Sequence, residues 1–308
     1  MMRPGPAWLL MLIVLVASVG ALAQAPRFSV KVEAVRVDVL VTEGGQPVRG
    51  LGRQDFEVFD NGVAQQVDLA SFEQIPLNVI LVLDVSESVA GERLGHLRAA
   101  SRGLLAGMQH GDQSALITFS QAVTLAAPLT GDAVRTRAAI DRIEARGATA
   151  LHDAAYSGLV LGDSDAGRSL LILFTDGVDT SSYLRREDVL DTARRSDAVV
   201  YAAAVGGRGR KAFLQDVTRQ TGGRLLELES TKDLEQTFVS ILNEFRQRYL
   251  LSYSPRGVAR EGWHELTVRL KGQKRVTIKA RPGYLAGFAP DRAEPTRGVI
   301  PRSLGLQP

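Results

Sequence analysis

Val79-Ile80-Leu81-Val82-Leu83-Asp84-Val85-Ser86-Glu87-Ser88 joins an unbroken apolar run to one acid and two hydroxyls. Five consecutive apolar, mostly β-branched or leucine side chains leave no polar face. The run therefore reads as a strand buried on both sides. A helix-like stretch follows near 91–107, so Asp84, Ser86 and Ser88 sit on the loop at the carboxyl end of that strand. Oxygen donors without any sulfur suit a hard divalent cation such as Mg²⁺ better than zinc or copper.

Outward from this stretch, short apolar runs alternate with amphipathic ones. Strands are expected at Leu77–Asp84, Ser114–Phe119, Ser169–Thr175, Ala198–Val205 and Arg224–Leu228. Helices are expected near 91–107, 132–145, 150–161, 186–195, 210–221 and 231–248. Solid strands such as Leu170-Leu171-Ile172-Leu173-Phe174 call for helices on both faces. The expected fold class is therefore α/β, a Rossmann-like doubly wound and mostly parallel sheet over residues 76–248. Val123–Ala126, close behind its neighbour, reads as an antiparallel edge strand. In the last helix Leu234, Phe238, Ile241, Leu242 and Phe245 fall at helical spacing and read as core packing.

Both flanks carry a different period. Val35, Val37 and Val39 alternate with Arg36 and Asp38, and Asp60-Asn61-Gly62 is a hairpin signal. Alternation returns at Tyr249–Tyr253, Trp263–Leu270 and Arg275–Lys279. Segments 27–75 and 249–286 are each too poor in strands to stand alone, so they are expected to build one β-sandwich-like domain into which 76–248 is inserted. Residues 287–308, with Pro290, Pro295, Pro301 and Pro308, read as a flexible tail.

In an open parallel sheet, ligands bind outside the carboxyl ends of the strands, where the strand order reverses. With Leu77–Asp84 central, the strand Ser169–Thr175 is its expected neighbour across that reversal, and Asp176 would face Asp84. The loop Arg146-Gly147-Ala148-Thr149 offers one more hydroxyl to the same point. Five oxygen side chains then converge: Asp84, Ser86, Ser88, Thr149 and Asp176. Taken singly, the serines would serve equally as helix caps and Asp176 as a turn residue.

Asp84-x-Ser86-x-Ser88 after the first strand, Thr149 in a Gly-x-Thr loop, and Thr175-Asp176-Gly177 after the fourth strand resemble a von Willebrand factor type A domain with a metal-ion-dependent adhesion site. The likeness covers about 76–248. Asp55-Phe56-Glu57-Val58 and Arg281-Pro282-Gly283-Tyr284 in the flanks also resemble a bacterial exported subfamily. The resemblance implies that Ser86 and Ser88 ligate the metal through their hydroxyls, and that Thr149, Asp84 and Asp176 act directly or through water. Mg²⁺, or Mn²⁺ or Ca²⁺ in its place, is the implied ion. Two carboxylates only neutralise it, so an open coordination position can take an Asp or Glu carboxylate from a protein partner. In integrin relatives the last helix moves with metal occupancy, and the short connection to Tyr249–Tyr253 permits such coupling here. Metal-dependent protein binding is the expected function, without enzyme activity. The alternatives are a metal-stabilised structural subunit of an envelope assembly and a Mg²⁺-dependent hydrolase.

Arg3, the apolar stretch Leu9–Val16 and Ala21-Leu22-Ala23 read as a signal peptide over 1–23, hence an exported protein that is periplasmic, cell-surface or extracellular. A membrane contact is expected only through an uncleaved signal segment, since the apolar core is shorter than the roughly 20 residues of a span. The chain has no cysteine, which removes disulfides, thiolate metal sites and cysteine nucleophiles. A net charge of +3 over 308 residues argues against a nucleic-acid partner. Gly207-Arg208-Gly209-Arg210-Lys211-Ala212 mimics a dinucleotide fingerprint, yet it follows the fifth strand and carries three cations in its turn. The four histidines show no zinc spacing. Of them, His152 lies three residues after Thr149, within reach of the cluster, but an ordinary buried or surface helical histidine is the expected reading.

Overall fold

The computed structural model describes residues 34–72, 75–163, 167–206, 211–272 and 275–287. The expected signal segment, the expected tail beyond 287 and Gly207–Arg210 of the glycine-rich turn lie outside them. In chain order the amino-terminal strands are β1 (Val35–Glu43), β2 (Gln46–Pro47), β3 (Phe56–Asp60), β4 (Val63–Gln65) and β5 (Val67–Ser71). β3 and β4 form the hairpin expected at Asn61-Gly62. Both turn residues have positive φ, +47° and +79°, the backbone that lets a two-residue turn follow the strands' twist.

The central region runs β6 (Leu77–Asp84), α1 (Glu92–Ala106), β7 (Gln113–Phe119), β8 (Val123–Thr130), α2 (Ala133–Asp141), α3 (Leu151–Gly162), β9 (Arg168–Thr175), α4 (Arg186–Arg195), β10 (Val199–Val205), α5 (Ala212–Gln220), β11 (Arg224–Leu228) and α6 (Leu234–Arg246). Its sheet has the order β11-β10-β9-β6-β7-β8, parallel except for the edge strand β8. Along β6, Val79, Leu81 and Leu83 enter one apolar cluster with α1, α2 and α6. Ile80 and Val82 enter a second with α3, α4 and α5. The alternation that every strand possesses thus feeds two cores, and that is why the strand sequence is apolar without a break. The stripe Leu234, Phe238, Ile241, Leu242 and Phe245 is buried in the first cluster.

Two boundaries differ from expectation. The antiparallel strand continues four residues past Ala126 to Thr130. Helix α2 ends at Asp141 rather than near 145, because the Ile143 carbonyl is taken by Arg98 Nη2 at 2.6 Å and the chain turns at Gly147, φ +80°. That early ending frees residues 142–149 to run back toward β6 as a loop.

After α6 come β12 (Tyr249–Tyr253), β13 (Gly262–Leu270), β14 (Val276–Lys279) and β15 (Gly283–Ala286), the last of these not foreseen. Strands from the two ends of the chain interleave. One sheet has the order β14-β1-β12-β5, with β2 beside β1, and the other runs β15-β13-β3-β4. Val35, Val37, Val39, Phe56, Val58, Leu251 and Leu266, from both sheets and both ends, share a third apolar cluster.

Arginines tie these strands to the central sheet. Arg168 at the start of β9 pairs with Asp38 of β1, and both side chains are buried. Arg281 donates to the Ser196 carbonyl at 3.0 Å, while Arg36 holds Asp197 at 3.0 Å. Arg248, wholly buried between α6 and β12, donates to the Gly222 carbonyl and the Tyr201 hydroxyl, each at 2.8 Å.

Candidate functional site

β6 and β9 are neighbours, and the chain leaves β6 toward β7 on one side before returning to β9 on the other. Their carboxyl ends therefore flank the reversal point of the sheet, the crevice in which such folds place ligands. Asp84 closes β6 and is fully buried. Its Oδ1 accepts the Ser86 amide at 2.9 Å, and its Oδ2 accepts the Thr175 hydroxyl at 2.6 Å. Burial pushes the Asp84 carboxyl above its ordinary value. The Ser86 and Thr175 hydrogen bonds oppose that rise, and the nearby Asp176 charge adds to it.

Neither serine acts as a helix cap. Ser86 precedes a short 3-10 turn, Glu87–Val89, without capping it through its side chain, and Gly91 occupies the cap position of α1. The hydroxyls point instead into the crevice: Ser86 Oγ and Ser88 Oγ share a hydrogen bond at 3.1 Å, and Ser88 Oγ donates to Asp176 Oδ1 at 2.6 Å. A chain of three oxygen side chains thereby links the end of β6 to the end of β9.

Thr149 arrives from the loop that the early end of α2 releases. Its carbonyl accepts the amides of Thr180 and Ser181 at 2.8 and 3.2 Å, and its own amide donates to Thr180 Oγ1 at 3.1 Å. The loop after β9 therefore grips Thr149 by its backbone. A further strap joins the two sides: Glu87 donates its amide to the Gly147 carbonyl at 3.0 Å, and Arg146 donates to the Val85 carbonyl at 2.8 Å. Gly177 shows how tightly the groups gather. A methyl group built on it would stand 3.4 Å from Thr149 Oγ1 and 4.0 Å from Asp84 Oδ2.

All five residues singled out in the sequence thus border one cleft, four through a continuous set of hydrogen bonds and Thr149 through its approach to Gly177. Among the described residues, no three His, Cys, Asp or Glu side chains come together as a metal cluster. The gathering is instead of two carboxylates with three hydroxyls, an all-oxygen donor set that fits a hard cation.

His152 does not join it. Its Nδ1 lies 3.6 Å from Asp179 and its ring packs edge-on against Phe213 at 4.5 Å. Two residues of the cleft escaped the sequence reading. Thr175, quoted in the sequence only as part of the Thr175-Asp176-Gly177 motif, ends β9 and gives its hydroxyl to Asp84. Arg93, in the first turn of α1, places Nη1 2.7 Å from Asp176 Oδ2 and 3.2 Å from the Ser88 carbonyl. Its place in the first turn of a helix that begins beside the Ser88 loop was the available signal.

Residues 78–239 match the profile of the von Willebrand factor type A domain. The chain belongs to this family. Type A domains are adhesion or protein-interaction modules, some of them metal-dependent. The chain is 23% identical over 227 residues to inter-alpha-trypsin inhibitor heavy chain H1 of Bos taurus, covering 67% of itself and 25% of that protein. It is 28% identical over 176 residues to an uncharacterised protein of Synechocystis sp., covering 54% of itself and 40% of the relative. The chain therefore spans well under half the length of these curated relatives. Among solved structures it resembles a von Willebrand factor type A protein of Catenulispora acidiphila, with TM-score 0.50, 9% identity, and 84% and 75% of the two chains covered. It also resembles proximal thread matrix protein 1 of the mussel byssus, solved with a zinc-occupied adhesion motif: TM-score 0.51, 17% identity, 59% and 48% covered. At these identities the structural likeness concerns the type A fold.

Proposed function

We propose that this type A domain is an exported, metal-dependent protein-binding module. Asp84, Ser86, Ser88, Thr149 and Asp176 would hold Mg²⁺ or a similar divalent ion, and a partner's Asp or Glu carboxylate would complete its coordination. The observation that carries this reading is the hydrogen-bonded run Ser86–Ser88–Asp176, which brings hydroxyls and carboxylate from two strand ends to one point instead of capping a helix. The bound ion would supply an electrophilic seat for an anionic oxygen. This chain's residues supply the rest: Thr175 orients Asp84, Thr180 and Ser181 fix Thr149, and the Gly147 turn holds the serine loop in register. We further propose that 76–248 is a module inserted into a sandwich-like mount made of 27–75 and 249–286, behind a signal peptide at 1–23. The pairing of β1 with β12 and of β3 with β13 supports that division.

Titration of Mg²⁺ and Mn²⁺ into the full chain tests the reading. Chelator-reversible binding at one site, abolished in a folded Asp84→Ala variant, is the expected result. Absence of divalent binding by the wild type would overturn it. A structural role for the ion is the second reading, favoured by the complete burial of Asp84 and its tie to Thr175 across the two strand ends. Under it, Asp84→Ala would unfold the protein rather than only silence binding.

A further inference from the structure

The Arg93 side chain is 51% exposed, yet it reaches the Asp176 carboxylate, which is 2% exposed. Nη1 alone makes both contacts, to Asp176 Oδ2 at 2.7 Å and to the Ser88 carbonyl at 3.2 Å. Nε and Nη2 have no partner among the described residues. A guanidinium carries five N–H donors in a planar fork that matches a carboxylate edge. Here one corner of the fork is pinned at Asp176, while the side chain as a whole stays half exposed to solvent. The pin also has an electrostatic consequence. A fixed positive charge beside Asp176 draws on the same carboxylate that a divalent ion needs, and it repels that ion.

We propose that Arg93 is the second cation of this site: it weakens the divalent ion's hold on Asp176 and, beside the bound ion, provides a guanidinium fork for the incoming carboxylate. The inference rests on the metal-dependent reading above. It makes the seat a two-cation clamp that selects a carboxylate able to bridge metal and guanidinium, and disfavours neutral oxygen ligands. Opposite effects on the two binding steps are its signature. Removing Arg93 should strengthen metal binding and weaken carboxylate binding, a pairing that simple loss of structure does not produce.

The experiment uses the full chain with Mn²⁺ alone, followed by acetate as the carboxylate probe. Mn²⁺ affinity is read by calorimetry, and acetate affinity by its displacement of water from the loaded ion in proton relaxation. Arg93→Ala is expected to bind Mn²⁺ about tenfold more tightly than wild type. Its Mn²⁺-loaded form is expected to bind acetate at least about fivefold more weakly. Arg93→Lys keeps the charge without the fork, so it should restore the wild-type Mn²⁺ affinity and leave acetate binding weak. Thermal melts confirm that the exposed substitution leaves the fold intact. If wild type binds Mn²⁺ and Arg93→Ala binds it no more tightly, or binds acetate equally well, the role of Arg93 is overturned while the metal reading stands. If wild type binds no Mn²⁺, both fall.

Discussion

Asp60 and His264 meet at 2.7 Å although 204 residues separate them in the chain. Both side chains are buried, at the junction where β3 pairs with β13. Asp60 also accepts the hydroxyls of Tyr253 and Tyr284, each at 2.9 Å, and the His264 ring stacks on Tyr284 at 4.6 Å. Three side chains from the carboxyl-terminal strands therefore share one carboxylate from the amino-terminal ones. A buried carboxylate with three donors is stable only as a complete set, since each donor removed strands charge in an apolar interior.

His264→Ala should accordingly cost about 2–4 kcal/mol of folding stability, and Tyr253→Phe about 1–2 kcal/mol. Urea denaturation measures both. A loss within about 0.5 kcal/mol for His264→Ala would show that the network adds no more than ordinary surface contacts do.

Alkaline pH should unfold this protein through its tyrosines. Burial pushes the hydroxyls of Tyr201, Tyr249, Tyr253 and Tyr284 above their ordinary value of 10, and for Tyr253 and Tyr284 hydrogen bonding to Asp60 adds to the rise. Above that pH the unfolded chain releases these protons while the folded chain keeps them. Stability is therefore full below about pH 10 and falls as pH rises from there toward the elevated folded values, by up to about 1.4 kcal/mol per pH unit for each tyrosine. Ultraviolet titration followed alongside circular dichroism checks this. Ionisation of all six tyrosines before any loss of ellipticity would contradict it.

The Arg168–Asp38 pair joins β9 to β1, with side chains only 4% and 8% exposed. Asp38→Ala leaves the guanidinium buried without its counter-charge and should cost about 3–5 kcal/mol. Replacing both residues with apolar ones should cost less than that single change. A double-mutant cycle in denaturant shows the coupling directly, and additive single losses would rule it out.

Movement of α6 with metal occupancy, which the likeness to integrin relatives made conceivable, meets a clamp here. Arg246 pairs with the buried Asp112, and Arg248 is held by Gly222 and Tyr201 in the step from α6 into β12. Sliding the helix by a turn would break all of these contacts at once. Amide exchange over 234–253 is therefore expected to be the same with and without Mg²⁺. Faster or slower exchange confined to that segment on adding the ion would show that the clamp yields.

The central region was legible because its signals are local. An eight-residue strand with five consecutive apolar residues, leading into Asp84-x-Ser86-x-Ser88, states its burial, its direction and its chemistry together. The hairpin at Asn61-Gly62 was equally plain, since few residues tolerate positive φ. Less local features were missed. β15 has only four residues, and it gains its place by pairing with β13, so nothing in its own period announced it. The end of α2 depended on Arg98, 45 residues away from the carbonyl it captures.

By itself the sequence determined the strand–helix alternation, the two-faced burial of the central sheet and the five oxygen-bearing residues at its loops. Periodicity and residue chemistry are properties of neighbours along the chain, so they survive without coordinates. Only the tertiary structure decided that Ser86 and Ser88 turn toward Asp176 rather than cap α1, that Arg93 stands at that same carboxylate, and that β1 and β3 find β12 and β13. Those outcomes depend on which distant groups pair once burial has removed water as an alternative partner. Pairing of that kind leaves no period in the sequence.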